Sequence, residues 1–257
     1  MPFCQDAGRR KLNPRALSQE AHFADNRKVK RKTLLCFFFI LIPALAASQD
    51  VLRGEVRVEL EPIPFFDVYL EEVFLMDRED AYRLALQKAA LFFSAQIYGW
   101  SFHYDIGERA RGIAEEFELT PLGEILWGDP RLFVTHARFE DHVFSAWMDY
   151  RPSESQQRRL QMWRMGNVRT AQAIGYGPLG GPAETSLWLD VKMNALEDSA
   201  RAAVRGILQA TERNRPKEAT GFISLQGFPS FWIDSGRWAA RARFRVEIRE
   251  VIPFAVH

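Results

Sequence analysis

Four histidines lie beyond residue 46 of this chain, His103, His136, His142 and the terminal His257, whereas both cysteines, Cys4 and Cys36, precede that point. Beyond residue 46 the chain therefore holds no disulfide, no thiolate metal site and no thiol nucleophile. His136 and His142 fall on the two strands of one expected hairpin, close to its turn, where they could approach each other and Glu140 or Asp141. Imidazoles and carboxylates brought together in that way suit a divalent metal. Two surface histidines at a hairpin tip explain the same spacing, so this is a polar site of second rank and no metal is assigned to it. No serine sits in G-x-S-x-G and no H-E-x-x-H occurs, which removes two local signatures of hydrolytic chemistry. Carboxylate pairs that cleave glycans leave no such signature. No catalytic residue is assigned, and the chain reads as a non-enzyme rather than an enzyme.

A second group of residues could bind rather than react. From Trp238 to Arg249 the sequence alternates strictly, with Trp238, Ala240, Ala242, Phe244, Val246 and Ile248 on one side and Arg241, Arg243, Arg245 and Arg249 on the other. An arginine row of this kind can bind phospholipid head groups, glycan acids or an acidic protein face. It is equally the solvated side of an edge strand, where charge prevents edge-to-edge pairing. The tryptophans Trp127, Trp147, Trp163, Trp188, Trp232 and Trp238 are scattered among the strands, and exposed ones could stack on sugars. The run Gly175-Tyr176-Gly177-Pro178-Leu179-Gly180-Gly181-Pro182 lacks both the following Lys-Ser/Thr and the G-x-G-x-x-G order. It reads as a loop and not as a phosphate cradle, and no cofactor is expected.

These residues need elements to hold them. Asp77 can cap a helix that Glu79 and Asp80 favour at its N-terminus, and Ala81, Leu84, Ala85, Ala89, Phe92 and Phe93 recur at helical spacing. Arg83, Gln87 and Lys88 fall largely on the other side, and Tyr98-Gly99 ends the helix. Glu197-Asp198-Ser199 with Arg201 and Ala203 echoes Glu79-Asp80-Ala81 with Arg83 and Ala85, and Asn194 and Glu197 have capping-box spacing. A second helix is expected from Ala195 to about Arg213, after a short strand over Leu187 to Lys192. A polar helix is expected from Glu154 to about Ala173. Strands are expected over Gly54–Glu61, Val68–Leu75, Trp100–Ile106, Arg131–Glu140, His142–Arg151, Phe222–Ile233 and Arg237–Arg249, and residues 107–123 form a charged connection with room for a short helix. The fold class is α+β, helices packed on antiparallel sheet, in two related β-α-β(β) units. The first covers residues 47–151, the second 187–257, and 152–186 connects them.

Of the 257 residues, 47% are hydrophobic and 13% aromatic, enough for packed cores. The formal charge of +1 conceals an asymmetry: beyond residue 46 there are 25 basic residues against 30 acidic ones. A mildly acidic domain has no charge reason to bind nucleic acid. Residues 27–32 are basic apart from Val29, residues 34–42 are apolar, and Ala44-Leu45-Ala46 follows Pro43. This is the pattern of a signal peptide cleaved after Ala46, with an apolar part short for a membrane span, and it predicts export to the periplasm; an uncleaved membrane anchor is the alternative. If translation starts at Val29, residues 1–28 fall outside the translated protein and the leader has ordinary proportions.

With its alanine-spaced helix over Arg83–Gly99, the strand Trp100–Ile106, the charged segment Glu108–Glu118, Gly123-Glu124-Ile125 and the hairpin Arg131–Arg151, the first unit resembles the Lpp-twenty envelope lipoprotein family and the N-terminal domain of flagellar assembly protein T. The resemblance covers residues 52–151 and departs at two points: no lipidation cysteine is present at the cleavage site, and the second unit matches only in its helix and hairpin. It implies a small α+β domain without known catalysis, working among envelope or flagellar proteins. The expected function is a non-enzymatic, exported protein acting through protein–protein or envelope contacts. A periplasmic hydrolase of glycan or peptide, with His103 and clustered carboxylates in a deep pocket, and a glycan- or ligand-binding module are the alternatives.

Overall fold

The computed structural model describes residues 51–60, 76–108, 112–140, 142–165, 167–178, 185–214 and 216–253. The leader over 1–46 and the segment Val68–Leu75 lie outside the described residues. Those that are described form three helices and nine strands in two antiparallel sheets, all belonging to one compact unit, Gln49–His257. The class is α+β, as expected. No described helix is long and apolar enough to cross a membrane.

Strand β1 (Leu52–Glu59) buries Val56 and Val58 and turns Arg53 and Arg57 outward. It pairs with β5 (Val143–Tyr150), which pairs in turn with β4 (Leu132–Glu140), giving a three-stranded sheet in the order β1-β5-β4. The larger sheet runs β3 (Glu116–Pro121), β2 (Trp100–Asp105), β7 (Pro216–Leu225), β9 (Arg237–Pro253) and β6 (Arg169–Gly177), and β8 (Ser230–Asp234) also pairs with β9. β8 and β9 join through Ser235 and Gly236, both at positive φ, the backbone that twists a two-residue hairpin turn in the sense its strands require.

Helix α1 (Arg78–Ile97) starts on Asp77, whose carboxylate accepts from the Asp80 N–H at 2.8 Å. It packs in two directions. Ala81, Leu84, Ala85, Ala89, Phe93 and Ile97 join the core of the three-stranded sheet, while Phe92 and Ala95 join that of the six-stranded sheet. The expected polar side is therefore incomplete, because Lys88, Ser94 and Gln96 are buried as well. Phe228 ties the cores together: its ring lies 5.2 Å from Phe92 and 4.8 Å from Phe93, over a position of β1 where a Cβ on Gly54 would stand 2.5 Å from it. Helix α2 (Glu154–Met162) carries a capping box between Ser153 and Gln156, and Trp163 just beyond it donates its indole N–H to Ile97 O at 3.0 Å.

Helix α3 (Thr185–Thr211) departs from expectation at its start, absorbing the expected strand 187–192 and placing Asn194 and Glu197 inside the helix instead of at its cap. Val191, Ala195, Leu196, Ala200, Ala203 and Val204 continue one apolar face across that boundary, which favours helix throughout. The polar helix expected to reach Ala173 stops at Met162, and Arg169–Gly177 is a strand. Its small inward residues have a function in packing. A Cβ on Gly175 would meet Ser199 N at 1.9 Å and Ala195 O at 2.5 Å, so α3 lies directly on the β6 backbone. Residues 116–121, expected within a connection, pair with β2 as β3.

Gly175→Ala is expected to lower stability by about 2–3 kcal/mol, the cost of forcing a methyl into a closed contact. Gly206→Ala, on α3 with open space around it, is expected to raise it by ~0.5–1 kcal/mol through helix propensity. Urea midpoints for the two variants check both signs.

Candidate functional site

Lys88 sits in the middle of α1, where the helix faces the end of β1, and its ammonium donates to Arg57 O at 3.1 Å. Lys192 projects from α3 toward the same place, and its Nζ lies 2.6 Å from Glu59 Oε2 at the last position of β1. Both lysines are only 3% exposed. They line a cavity of about 430 Å³ whose apolar wall includes Val56, Phe92, Leu189, Met193, Phe228 and Phe231. Lys192 Nζ also stands 4.4 Å from the centre of the Trp238 ring, a cation–π contact. Arg57 and Glu55, paired at 3.6 Å on the exposed side of β1, also border the cavity.

The electrostatics follow from placement. Burial and then the neighbouring Lys192 ammonium push the Lys88 amine down to about 7, against the pull of Glu59. For Glu59 burial acts upward, but the Lys192 and Lys88 charges outweigh it and hold its carboxyl below the usual range. Two amines held side by side among aromatic rings repel each other when both are protonated; losing one proton or accepting an anion relieves this. The site can thus offer an anion two N–H donors near a carboxylate, or a neutral amine at neutral pH.

Sequence reading placed Lys88 on a solvated side and gave Lys192 no role. The missed signal is compositional. Beyond residue 50 the chain has three lysines, Lys88, Lys192 and Lys217, against twenty-two arginines, and two of the three meet in this cavity. Arginine stays charged in a protein, whereas lysine gives up its proton when buried.

Other polar groups assemble elsewhere. A larger cleft of about 520 Å³ is bordered by Tyr104, Glu115 and Arg205. There the Tyr104 hydroxyl donates to Glu115, and Arg205 bonds both, its Nε lying 3.0 Å from the Tyr104 oxygen. These three groups satisfy one another, with burial and the Glu115 bond raising the Tyr104 phenol. On the uncovered face of the six-stranded sheet, His103 stands between Asp105 at 3.6 Å and Glu218 at 3.5 Å. Each can place one ligand atom within 4.8 Å of the others, though half-exposed polar side chains on one sheet face account for that arrangement without an ion.

The residues singled out from sequence lie apart from the lysine cavity. His136 is exposed and pairs with Trp147, while exposed His142 precedes β5, five residues away along the chain, roughly 16 Å of strand at the usual rise. Arg241, Arg243, Arg245 and Arg249 do share the uncovered face of β9. Between Trp238 and Val246 that strand is interior, flanked by β7 and β8 on one side and β6 on the other, so the edge-strand explanation does not apply to Arg241, Arg243 and Arg245; Arg249 lies beyond the reach of β6. Arg241 lies 5.2 Å above the Trp232 ring and Arg249 5.3 Å above that of Phe222. Arg245 is half-buried and donates to Leu225 O at 3.3 Å, and Arg243 is exposed.

A protein-family model matches residues 40–254, and the chain belongs to that family, the family of an uncharacterised Treponema protein. The chain is similar to an uncharacterised protein of Treponema pallidum (strain Nichols), 23% identical over 168 residues, which make up 65% of this chain and 68% of that protein. No solved structure matches. The resemblance to the Lpp-twenty lipoproteins and to flagellar assembly protein T is overturned by this match, which covers the same residues 52–151 with a different family. Its G-x-[IV] strand is absent too: Gly123–Ile125 is not a strand, and Ile125 N instead donates to Ser94 Oγ at 2.8 Å.

Lys88 gives the fold a distinctive pH response. An amine near 7 when folded and near its ordinary ~10.4 when unfolded leaves the unfolded chain holding more protons between those values, so stability rises with pH across that window. The slope approaches about 1.4 kcal/mol per pH unit for one proton. Urea unfolding from pH 7 to 9.5 is expected to show this rise, and Lys88→Met, of similar length and uncharged, to flatten it.

Proposed function

We propose that the chain is an exported, non-catalytic binding module that takes a small anion with an apolar portion into the cavity between α1, α3 and β1. The observation that carries this reading is the pair of buried amines, Lys88 and Lys192, side by side within an aromatic-walled space of about 430 Å³. That volume suits a ligand of modest size, and such sites combine mainly apolar walls with a few convergent polar groups. An anion settling between the amines relieves their repulsion, and its apolar part covers Phe92, Phe228 and Phe231. Export is supported by the basic-then-apolar run before Ala46.

A branched carboxylate, 4-methylpentanoate, and its neutral amide separate charge recognition from simple filling of an apolar space. The carboxylate is expected to raise Tm and to give a binding isotherm, the amide to do neither, and Lys192→Met to weaken binding about tenfold or more, as loss of one charged contact would. Equal effects from amide and carboxylate, or none from either, would remove the reading.

Contact with other envelope components is a second reading, supported by the exposed Arg241 and Arg243 in the middle of an uncovered sheet face. Cross-linking in an envelope fraction is expected to capture acidic partners, and the double variant R241E/R243E to lose them. Recovery of the protein alone from both preparations would count against it.

A further inference from the structure

We infer that Lys88 captures the carbonyl carbon of a small 2-oxo acid as a reversible imine, with Lys192 holding the acid's carboxylate. The inference rests on the binding reading above and says what class of anion the site takes.

Three observations converge on it. The first is selectivity of residue type: a chain that uses arginine at twenty-two positions beyond residue 50 retains lysine at three, and two of these are the buried pair. A guanidinium would satisfy a purely electrostatic role and would pair with Glu59 at two points. A primary amine is required only where a lone pair or a compact ammonium is needed. The second is division of labour. Lys192 is held by Glu59 at 2.6 Å and by the Trp238 face, while Lys88 meets a backbone carbonyl, Arg57 O, at 3.1 Å and its lysine neighbour. The third is the environment of Lys88, which combines burial, the Lys192 ammonium on α3, Glu59 on β1, and Arg57 and Glu55 at the rim. Burial and the adjacent cation favour its neutral form, the two conditions that activate lysine as a nucleophile.

The step balances without a co-reactant. The Lys88 Nζ lone pair attacks the carbonyl carbon as the C=O π pair moves to oxygen, forming a carbinolamine. Solvent water carries one amine proton to the carbinolamine oxygen and the second as that oxygen departs. A C=N bond forms, the C–O bond breaks, and one water leaves with both protons of the amine. No atom changes oxidation state in this exchange, and water reverses it.

The test treats the full chain with 4-methyl-2-oxopentanoate and cyanoborohydride at pH 7.5, followed by intact mass and peptide mapping, with 2-hydroxy-4-methylpentanoate as the analogue lacking the carbonyl. One reduced adduct is expected on Lys88, formed at least ~10-fold faster than on exposed Lys217, which lies outside the cavity. The rate is expected to rise with pH through about 7, and the hydroxy acid to slow labelling of Lys88 but not of Lys217. This competition is read on the unaltered protein and does not depend on a variant folding. If both acids raise Tm but no adduct maps to Lys88, or if adducts spread across Lys217 and the lysines before residue 50, the imine is wrong and anion binding stands. If neither acid raises Tm and no adduct forms, both readings fall.

Discussion

The architecture depends on one helix being buried from two directions. Helix α1 fills the space between the three-stranded and six-stranded sheets, so its apolar residues are distributed around the axis and not confined to one stripe. A helix in that position has little circumference left for polar side chains. The three that fall inside, Lys88, Ser94 and Gln96, each face the cost of burying a polar group. Ser94 meets it by donating to Ala90 O at 2.6 Å and accepting from Ile125 N, which fastens the loop after β3 to the helix. Lys88 meets it with a backbone carbonyl and by yielding its proton more readily. The same double burial that makes the core continuous, through Phe92, Phe93 and Phe228, thus creates the site.

Strict alternation made several elements legible. β1, β2, β5 and the inward face of β9 follow from period-two patterns whose apolar residues are largely buried in the structure. Asp77 and Gly99 marked the ends of α1 for reasons of local chemistry that tertiary packing leaves intact. The failures share a cause. β6 reads Arg-Thr-Ala-Gln-Ala-Ile-Gly-Tyr-Gly, and its inward residues are alanine and glycine because α3 presses against the backbone. A strand selected for thinness lacks the bulky β-branched residues by which strands are recognised. The start of α3 was misplaced because Glu197-Asp198 is chemistry common at a helix N-terminus. Here Asp198 serves another purpose, accepting from Tyr176 N at 2.7 Å.

The candidate site was illegible for a different reason. Glu59, Lys88 and Lys192 come from a strand and two helices, the first and the last separated by 133 positions in sequence, and no local motif links them. Pattern reading assigns a lysine on a helix to solvent by default. Only the contrast between abundant arginine and scarce lysine could have drawn attention to it, and that contrast gains meaning once two of the three lysines are found in one cavity. The arginine row shows the converse. Its alternation was read correctly, yet its position within the sheet depended on β6 being a strand.

The contact between Asp198 and Tyr176 bears on how copies of this protein could associate. β6 borders the six-stranded sheet, and such a border ordinarily offers backbone N–H groups to any extended chain that arrives. At Tyr176 the carboxylate of α3 already occupies the place where an incoming carbonyl would dock. Ser199 reaches over the same margin to Ala173 O at 3.0 Å. The helix therefore acts as a selvedge, finishing the fabric on that side so that the weave cannot be continued by a stranger's thread.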